Sequence, residues 1–277
     1  MRIDIDTISG DNADKTSLLQ MMTAKKVIVR SEEIGLDDEK ELEHTYYYIV
    51  ARQGVGPRPT VVDSSFVRYE GSLLNKQVFD GSTESPVWFD LVNTVKGFGS
   101  GTQWLKAGEV TSTNSDGTFE IDNYGVGMVI FPSAMGYYSR QQGTIPSYSP
   151  LIFKIDLMTV AVADHDRDGV PSHVEDRNNN GYLRDDNSDK KSEEEFFDAT
   201  LYDYLDTDDD NDGKLTKDEV AFKEYVVDTS MGEQEPELEE NKEYEIDRKN
   251  VNGIITIKTV VLTDTNNDGT PDYLDAD

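Results

Sequence analysis

Between Tyr46 and Val160 the chain alternates short β-branched and aromatic runs with Gly, Pro, Asn and Asp: "YYYIVA", "SSFVRYEGSLL", "PVWFDLV", "TFEIDNYGVGMVIFP" and "PLIFKIDLM". Such runs, broken by turn residues, predict an antiparallel sheet with few helices. Residues 1–45 have another texture. "KTSLLQMMTAKKVIV" (Lys15–Val29) is amphipathic at helical spacing and predicts one helix, and the acidic "SEEIGLDDEKELEH" reads as a linker. Beyond residue 160 the apolar runs thin out and one Asp-rich loop pattern recurs. Within that zone only "KEYEIDRKNVNGIITIKTVVL" (Lys242–Leu262) alternates, which predicts a hairpin around Asn252 and Gly253. The organisation expected is α+β in three parts: an N-terminal helical segment and linker (1–45), a sheet domain (46–160) and an Asp-rich module (161–277).

Charge sharpens this division. The net charge of the 277-residue chain is -30, and residues 161–277 carry 35 Asp and Glu against 12 Lys and Arg. That excess repels nucleic acid and anionic membrane and attracts cations. With no Cys, thiolate metal sites, disulfides and thiol nucleophiles are excluded. No apolar run approaches the roughly 18 residues of a membrane span, and "MRIDIDTISG" lacks the basic and apolar parts of a signal peptide. A leader or lipidated Cys removed from the chain would leave the same appearance, so a lipid anchor stays compatible with it.

The sheet zone has no Ser-His-Asp or Cys-His set, because His44, His165 and His173 all lie outside it. What it concentrates is aromatic residues among small ones. Their order is informative. "VRYEGSLLNKQVFDGS" (Val67–Ser82), "PVWFDL" and "TVKGF" (within Pro86–Phe98), "LKAGE" (Leu105–Glu109) and "FPSAMGYYSRQQGTIPSYSPLIFKIDLM" (Phe131–Met158) together resemble FKBP-type peptidyl-prolyl isomerases. The resemblance implies an antiparallel, half-wrapped sheet around one short helix, with a pocket between them. It implies that Tyr69 lines the pocket wall, Phe79 the floor edge and Phe98 the base, where the family usually has Trp. Asp80 would orient neighbouring groups, and the backbone N–H at or near Val95 would hold a substrate carbonyl. Tyr137 would offer its hydroxyl, with Ile145 and Phe153 closing the apolar cradle. Residues 131–153, which look like a loop, would then be a site wall.

Such a surface suits the reaction the resemblance implies. Rotation about an X-Pro bond faces a barrier of about 18–20 kcal/mol set by amide resonance. A twisted amide carries less charge on its oxygen, so an apolar cradle that strips water from the carbonyl disfavours the planar ground state more than the twisted form. No cofactor is required. The chain departs from the family at Tyr138, which stands where Gly is usual, at Ser147 in place of a second Pro, in an insertion at Thr111–Tyr124, and in a glycine-rich helix segment, "GFGSGTQWLKAG".

In the acidic zone, "DDDNDGKLTKDE" (Asp208–Glu219) matches the EF-hand loop: Asp208, Asp210 and Asp212 at positions one, three and five, Gly213 at six, the Lys214 carbonyl at seven and Glu219 at twelve. Thr216 and Glu219 also spell a capping box before "KDEVAFKEYVV", predicting a helix. "DHDRDGVPSHVE" offers Asp164, Asp166, Asp168, Val170 and Glu175, and "DTNNDGTPDYLD" offers Asp264, Asn266, Asp268, Thr270 and Asp275. Both place Pro at position eight, and they resemble the solitary calcium loops of thrombospondin type 3 repeats. "DRNNNGYLRDDN" is a weaker match through Asp176, Asn178 and Asn180, with Asp185 or Asp186 substituting at the end. Three or four structural calcium ions are expected.

The expectation is a protein-folding catalyst, a peptidyl-prolyl cis-trans isomerase acting on proline-containing peptides or unfolded segments, with a calcium-stabilised module. An extracytoplasmic setting, periplasm or cell envelope, follows from loops suited to calcium-rich surroundings. The alternative is a non-catalytic peptide-binding or chaperone protein on the same fold, and the last a calcium-stiffened structural protein.

Overall fold

The stretch Lys15–Val29 is not one helix in the computed structural model of the chain, which describes residues 3–113, 119–196, 201–251 and 253–276. Ser17 caps a single turn, α1 (Leu18–Met21), through a reciprocal bond with Gln20. The chain then extends as β1 (Thr23–Arg30) and pairs antiparallel with β2 (Glu41–Arg52), in register from Thr23↔Tyr48 to Arg30↔Glu41. Lys26–Arg30 alternates as well as it spirals, and a β-branched run with a strand waiting beside it gains ladder bonds that a solitary helix lacks. The segment read as a helix and linker is therefore an edge of the sheet.

The contacts divide the chain into two compact units, Met1–Val160 and Ala161–Asp277. In the first, β3 (Ser64–Leu73), β4 (Val78–Asp90), β7 (Gly125–Phe131) and β8 (Leu151–Ala161) complete a six-stranded sheet in the order β1-β2-β7-β8-β3-β4. The insertion forms its own two-stranded hairpin, β5 (Glu109–Thr113) with β6 (Phe119–Asp122). "TFEIDNYGVGMVIFP" is thus two strands, separated where Asn123 turns at φ 52°. The centre of the insertion, 114–118, lies outside the described residues.

Alternation assigns the faces. In β3, Ser65, Val67, Tyr69 and Gly71 are buried while Arg68 and Glu70 are only half-buried on the reverse side. In β8, Phe153, Ile155 and Leu157 join Tyr69 in the core, and Lys154 and Asp156 face the other way. There Lys154 pairs with Glu70 at 2.7 Å and Arg68 with Asp156 at 2.9 Å.

A short helix, α2 (Lys96–Thr102), crosses the core face, and its sequence "KGFGSGT" is explained by the approach. A Cβ on Gly97 would fall 2.2 Å from the Phe131 ring, and one on Gly101 would fall 2.5 Å from Val129 Cβ. The glycines that weaken this helix by propensity let it lie directly on β7. Trp104, just beyond it, stacks on Tyr48 at 4.8 Å and donates Nε1–H to the Tyr46 hydroxyl.

In the second unit, β9 (Val220–Asp228), β10 (Glu243–Val251) and β11 (Ile254–Leu262) form an antiparallel sheet in the order β10-β11-β9. The β10–β11 pair is the expected hairpin; Asn252 lies outside the described residues. The helix predicted from Thr216 is absent. Only a single 3-10 turn, Thr216–Asp218, precedes β9, whose β-branched residues pair with β11 instead. Val170, Leu262 and Tyr273 form a small buried cluster beneath the loops.

Candidate functional site

The core face of the first unit closes on an aromatic cradle centred on Phe153. Its ring is 5.2 Å from Phe98, 5.6 Å from Phe79, 5.8 Å from Phe131 and 6.3 Å from Tyr69. Phe98, Phe153, Tyr69 and Ile145 are buried, while Phe79, Val95 and Tyr137 are half-buried and pack against them. This makes a floor with a rim. Each part has a local cause: β3 and β8 alternate Tyr69 and Phe153 inward, α2 drops Phe98 between them, and Gly71 leaves room that a Cβ would take from Phe79 and Phe153. Val95 is the N-cap residue of α2. Ile145 sits in the tight bridge with Gln142 inside the 131–153 segment.

Polar groups are few and specific. The Tyr69 hydroxyl donates to Asp80 Oδ2 at 2.7 Å, and Asp80 is itself exposed. Burial, reinforced by the Asp80 carboxylate, pushes the Tyr69 phenol above its ordinary value. The same two causes raise Tyr137. Both stay protonated at neutral pH, and Tyr69 acts as a donor. Tyr138 occupies the left-handed region at φ 49°, with its N–H on the Ser133 carbonyl and its ring edge-on to Tyr148 at 5.4 Å. The conformation usual for Gly is kept although the residue is not Gly.

All eight pocket residues expected from the sequence therefore fall around one cradle. Phe89 and Phe131 were not assigned to it, yet Phe89 lies 5.2 Å from Tyr69 and 5.5 Å from Phe98, and Phe131 stacks on Phe153. The reverse face of the sheet carries a cavity of about 350 Å3 lined by Arg68, Glu70, Lys154 and Asp156 among others. Its charges already pair with one another.

No protein-family model matches the chain. Among curated proteins, it is 30% identical over 149 residues to a probable FKBP-type peptidyl-prolyl cis-trans isomerase FkpA of Neisseria meningitidis, covering 52% of this chain and 48% of the relative. It is 26% identical over 167 residues to the FKBP-type isomerase FkpA of Aeromonas hydrophila, covering 60% of this chain and 53% of the relative. The chain is similar to FKBP-type peptidyl-prolyl cis-trans isomerases. It spans about half the length of the curated relatives it matches. A solved structure, a peptidyl-prolyl cis-trans isomerase of Pseudomonas syringae, matches with a TM-score of 0.34 at 28% identity, over 42% of this chain and 74% of that one. Among the described residues no helix is long and apolar enough to cross a membrane.

The second unit holds the four Asp-rich loops in one backbone shape. Position four is left-handed in each (Arg167, Asn179, Asn211, Asn267), as is the glycine at six (Gly169, Gly181, Gly213, Gly269). In three loops the position-six N–H returns to the first Asp: Gly169 to Asp164, Gly181 to Asp176 and Gly269 to Asp264, at 2.8–3.1 Å.

Side-chain placement differs among them. Asp164, Asp166 and Asp168 converge, as do Asp208, Asp210 and Asp212. Val170 is buried, with its N–H on Asp168 Oδ1, and the Lys214 N–H is on Asp212 Oδ1. Glu219 is buried near Lys214 Nζ at 3.3 Å. In the weaker loop, Asn178 and Asn180 donate to Asp186 and Asp185. In the last, Asn266 donates to Asp275, and Thr270 N–H to Asp268. A further acidic group, Asp189, Glu193 and Asp206, was not anticipated, but Glu193 already accepts the Leu201 N–H and the Asn187 amide.

The fit to a cation can be judged from orphaned atoms. Asp166, Asp168, Asp208, Asp210 and Glu219 each bury one carboxylate oxygen without a hydrogen-bond partner, and Glu175 buries two. Leaving such groups unpaired is costly, and hard oxygen donors in this number suit calcium. Burial and neighbouring carboxylates push Glu175 up to about 11 and Asp209 up to about 9. Asp166 and Asp168 rise for the same reasons.

Proposed function

We propose that the chain is a peptidyl-prolyl cis-trans isomerase whose second unit is held by structural calcium. The observation that carries the first half is the cradle: four aromatic rings, Tyr69, Phe79, Phe89 and Phe131, around Phe153 and Phe98, rimmed by two protonated tyrosines and one carboxylate. A prolyl ring would rest on Phe98 and Phe153, with the carbonyl before it drawn from water. There the amide loses the solvation that favours its planar form. Tyr137 and the backbone at Val95 would orient the peptide, and Asp80 fixes Tyr69 in the wall. The proline-containing segments of unfolded proteins are the substrate class this surface takes.

Four loops of one shape, those from Asp164 and Asp208 with several orphaned buried carboxylate oxygens, support the second half. Calcium loops of this kind point to an extracytoplasmic setting. The test is cis/trans exchange of an Ala-Phe-Pro peptide followed by NMR with calcium-loaded protein. Exchange well above the uncatalysed rate, lost in Phe79→Ala, is the expected result; none with folded protein refutes catalysis. A second reading, a non-catalytic peptide binder, is favoured by Tyr138, whose ring packs against the cradle's core cluster. Activity gained in Tyr138→Gly would support it.

A further inference from the structure

Three of the loops share a brace that their sequence pattern does not specify. The N–H of the second residue donates to the side chain of the ninth: His165 to Ser172 Oγ at 3.3 Å, Asp209 to Thr216 Oγ1 at 3.3 Å and Thr265 to Asp272 Oδ1 at 2.7 Å. The ninth N–H in turn donates to the carbonyl just before the loop: Ser172 to Ala163, Thr216 to Thr207 and Asp272 to Thr263. The second side chain thereby stands apart from its own loop's cluster. Asp209 is the only carboxylate at that position, and it is not among the converging Asp208, Asp210 and Asp212.

Asp209 converges instead on the loop from Asp164. One oxygen each of Asp209, Asp168 and Glu175 lie within 4.8 Å of one another. The three residues are 1%, 2% and 1% exposed. Thr216, fully buried, donates its hydroxyl to Asp209 Oδ2 at 2.9 Å and leaves Oδ1 without a partner. Asp168 Oδ2 and both oxygens of Glu175 are unpartnered as well. Three buried carboxylates, with four orphaned oxygens among them and one oxygen of each within 4.8 Å of the others, concentrate negative charge that a divalent, oxygen-seeking cation would offset.

We infer that Asp209 is a calcium ligand supplied by loop 208–219 to the ion held by loop 164–175, alongside Asp168 and Glu175. This rests on the calcium reading above. Because Asp208 and Asp210 on either side belong to the neighbouring cluster, one backbone segment serves two ions. Filling one loop fixes a ligand of the other, so the two should fill cooperatively.

The test uses the full chain, 15N-labelled, stripped with chelator and titrated with calcium chloride while the Gly169 and Gly213 amide resonances report the two loops separately. Asp209→Asn keeps the side chain's shape and removes one of three mutually repelling charges. It should move the Gly169 midpoint to about tenfold higher calcium or more, and the Gly213 midpoint less, because losing one charged ligand lowers a loop's affinity. An unchanged Gly169 midpoint in the folded variant overturns the assignment and leaves the loops as independent calcium sites. If neither glycine responds in the unaltered protein, the calcium reading itself fails, and this inference with it. Should the variant not fold, a calcium-loaded crystal structure of the unaltered chain decides: Asp209 within about 2.3–2.6 Å of the ion supports the assignment, and Asp209 turned away overturns it.

Discussion

Gly97 and Gly99 sit two residues apart in α2, and alanine at these positions should act in opposite directions. By propensity alone each change stabilises a helix interior by up to about 1 kcal/mol. At Gly99 nothing opposes that gain, because the nearest atoms to a new Cβ are the Val61 carbonyl oxygen at 3.6 Å and Leu91 Cβ at 3.8 Å, ordinary contacts. At Gly97 the new carbon would meet three Phe131 ring atoms at 2.2, 2.3 and 2.4 Å. Relief to a normal carbon separation needs a shift of roughly 1.5 Å. Phe131 has little room to give it, being 1% exposed and stacked on Phe153. Overpacking of this kind costs about 1–3 kcal/mol or more, and the rigidity of ring and backbone puts Gly97 at the upper end. The net expectation is a loss of about 2 kcal/mol for Gly97→Ala and a gain of about 0.5–1 kcal/mol for Gly99→Ala. Urea unfolding followed by tryptophan fluorescence reads this directly, since both tryptophans, Trp88 and Trp104, belong to the first unit. Isomerase activity should fall with Gly97→Ala, as Phe131 would be driven into the floor of the cradle. Stability gained in Gly97→Ala, or the same sign at both positions, would refute the claim that the helix is glycine-rich because it must lie on β7.

Further expectations follow from the site and the loops. Tyr69→Phe removes the donor to Asp80; with Asp80 exposed, the loss in an unfolding titration should be about 1 kcal/mol or less, and the peptide exchange rate should drop several-fold. Chelation should raise hydrogen exchange in peptides from loops 164–175 and 208–219 far more than in strands β3 and β8. The pH dependence should reverse with calcium. Glu175 and Asp209 titrate near 4 when unfolded and at about 11 and about 9 when folded without an ion, so their favourable contribution is present below pH 4 and is lost as pH rises through the folded values. In chelator the second unit should therefore melt higher at pH 5 than at pH 8, and in calcium the order should invert; equal melting at both pH values in chelator would contradict the burial of these carboxylates.

Much of the first unit was legible because alternation in "SSFVRYEGSL" and "LIFKIDL" both makes strands and chooses which aromatics face inward. The resemblance pointed to Tyr69, Phe79, Phe98, Ile145 and Phe153, which share one apolar cluster. What escaped is what depends on neighbours. Lys15–Val29 has two acceptable periods, and only β2 settles between them. Thr216 and Glu219 spell a helix start, but Thr216 turns to Asp209 and Glu219 into the loop, leaving the following residues to β11. Phe131 opens the matched stretch Phe131–Met158 without an assigned role, which appears only when Gly97 rests on it. Asp209 could not be found from spacing, since the loop pattern gives position two no task. A signal existed in hindsight: among the braced loops it is the one acidic residue at that position.

The loop from Asp176 has the same left-handed positions as the other three and the same glycine-to-Asp closure as the loop from Asp164, although amides stand at positions three and five where that loop has carboxylates. Shape and charge are therefore written by different residues: the first Asp and the glycine set the turn, while positions three and five set the electrostatic load. On the calcium reading proposed above, exchanging carboxylate for amide at those two positions would retune a loop's affinity for a cation without rebuilding its turn.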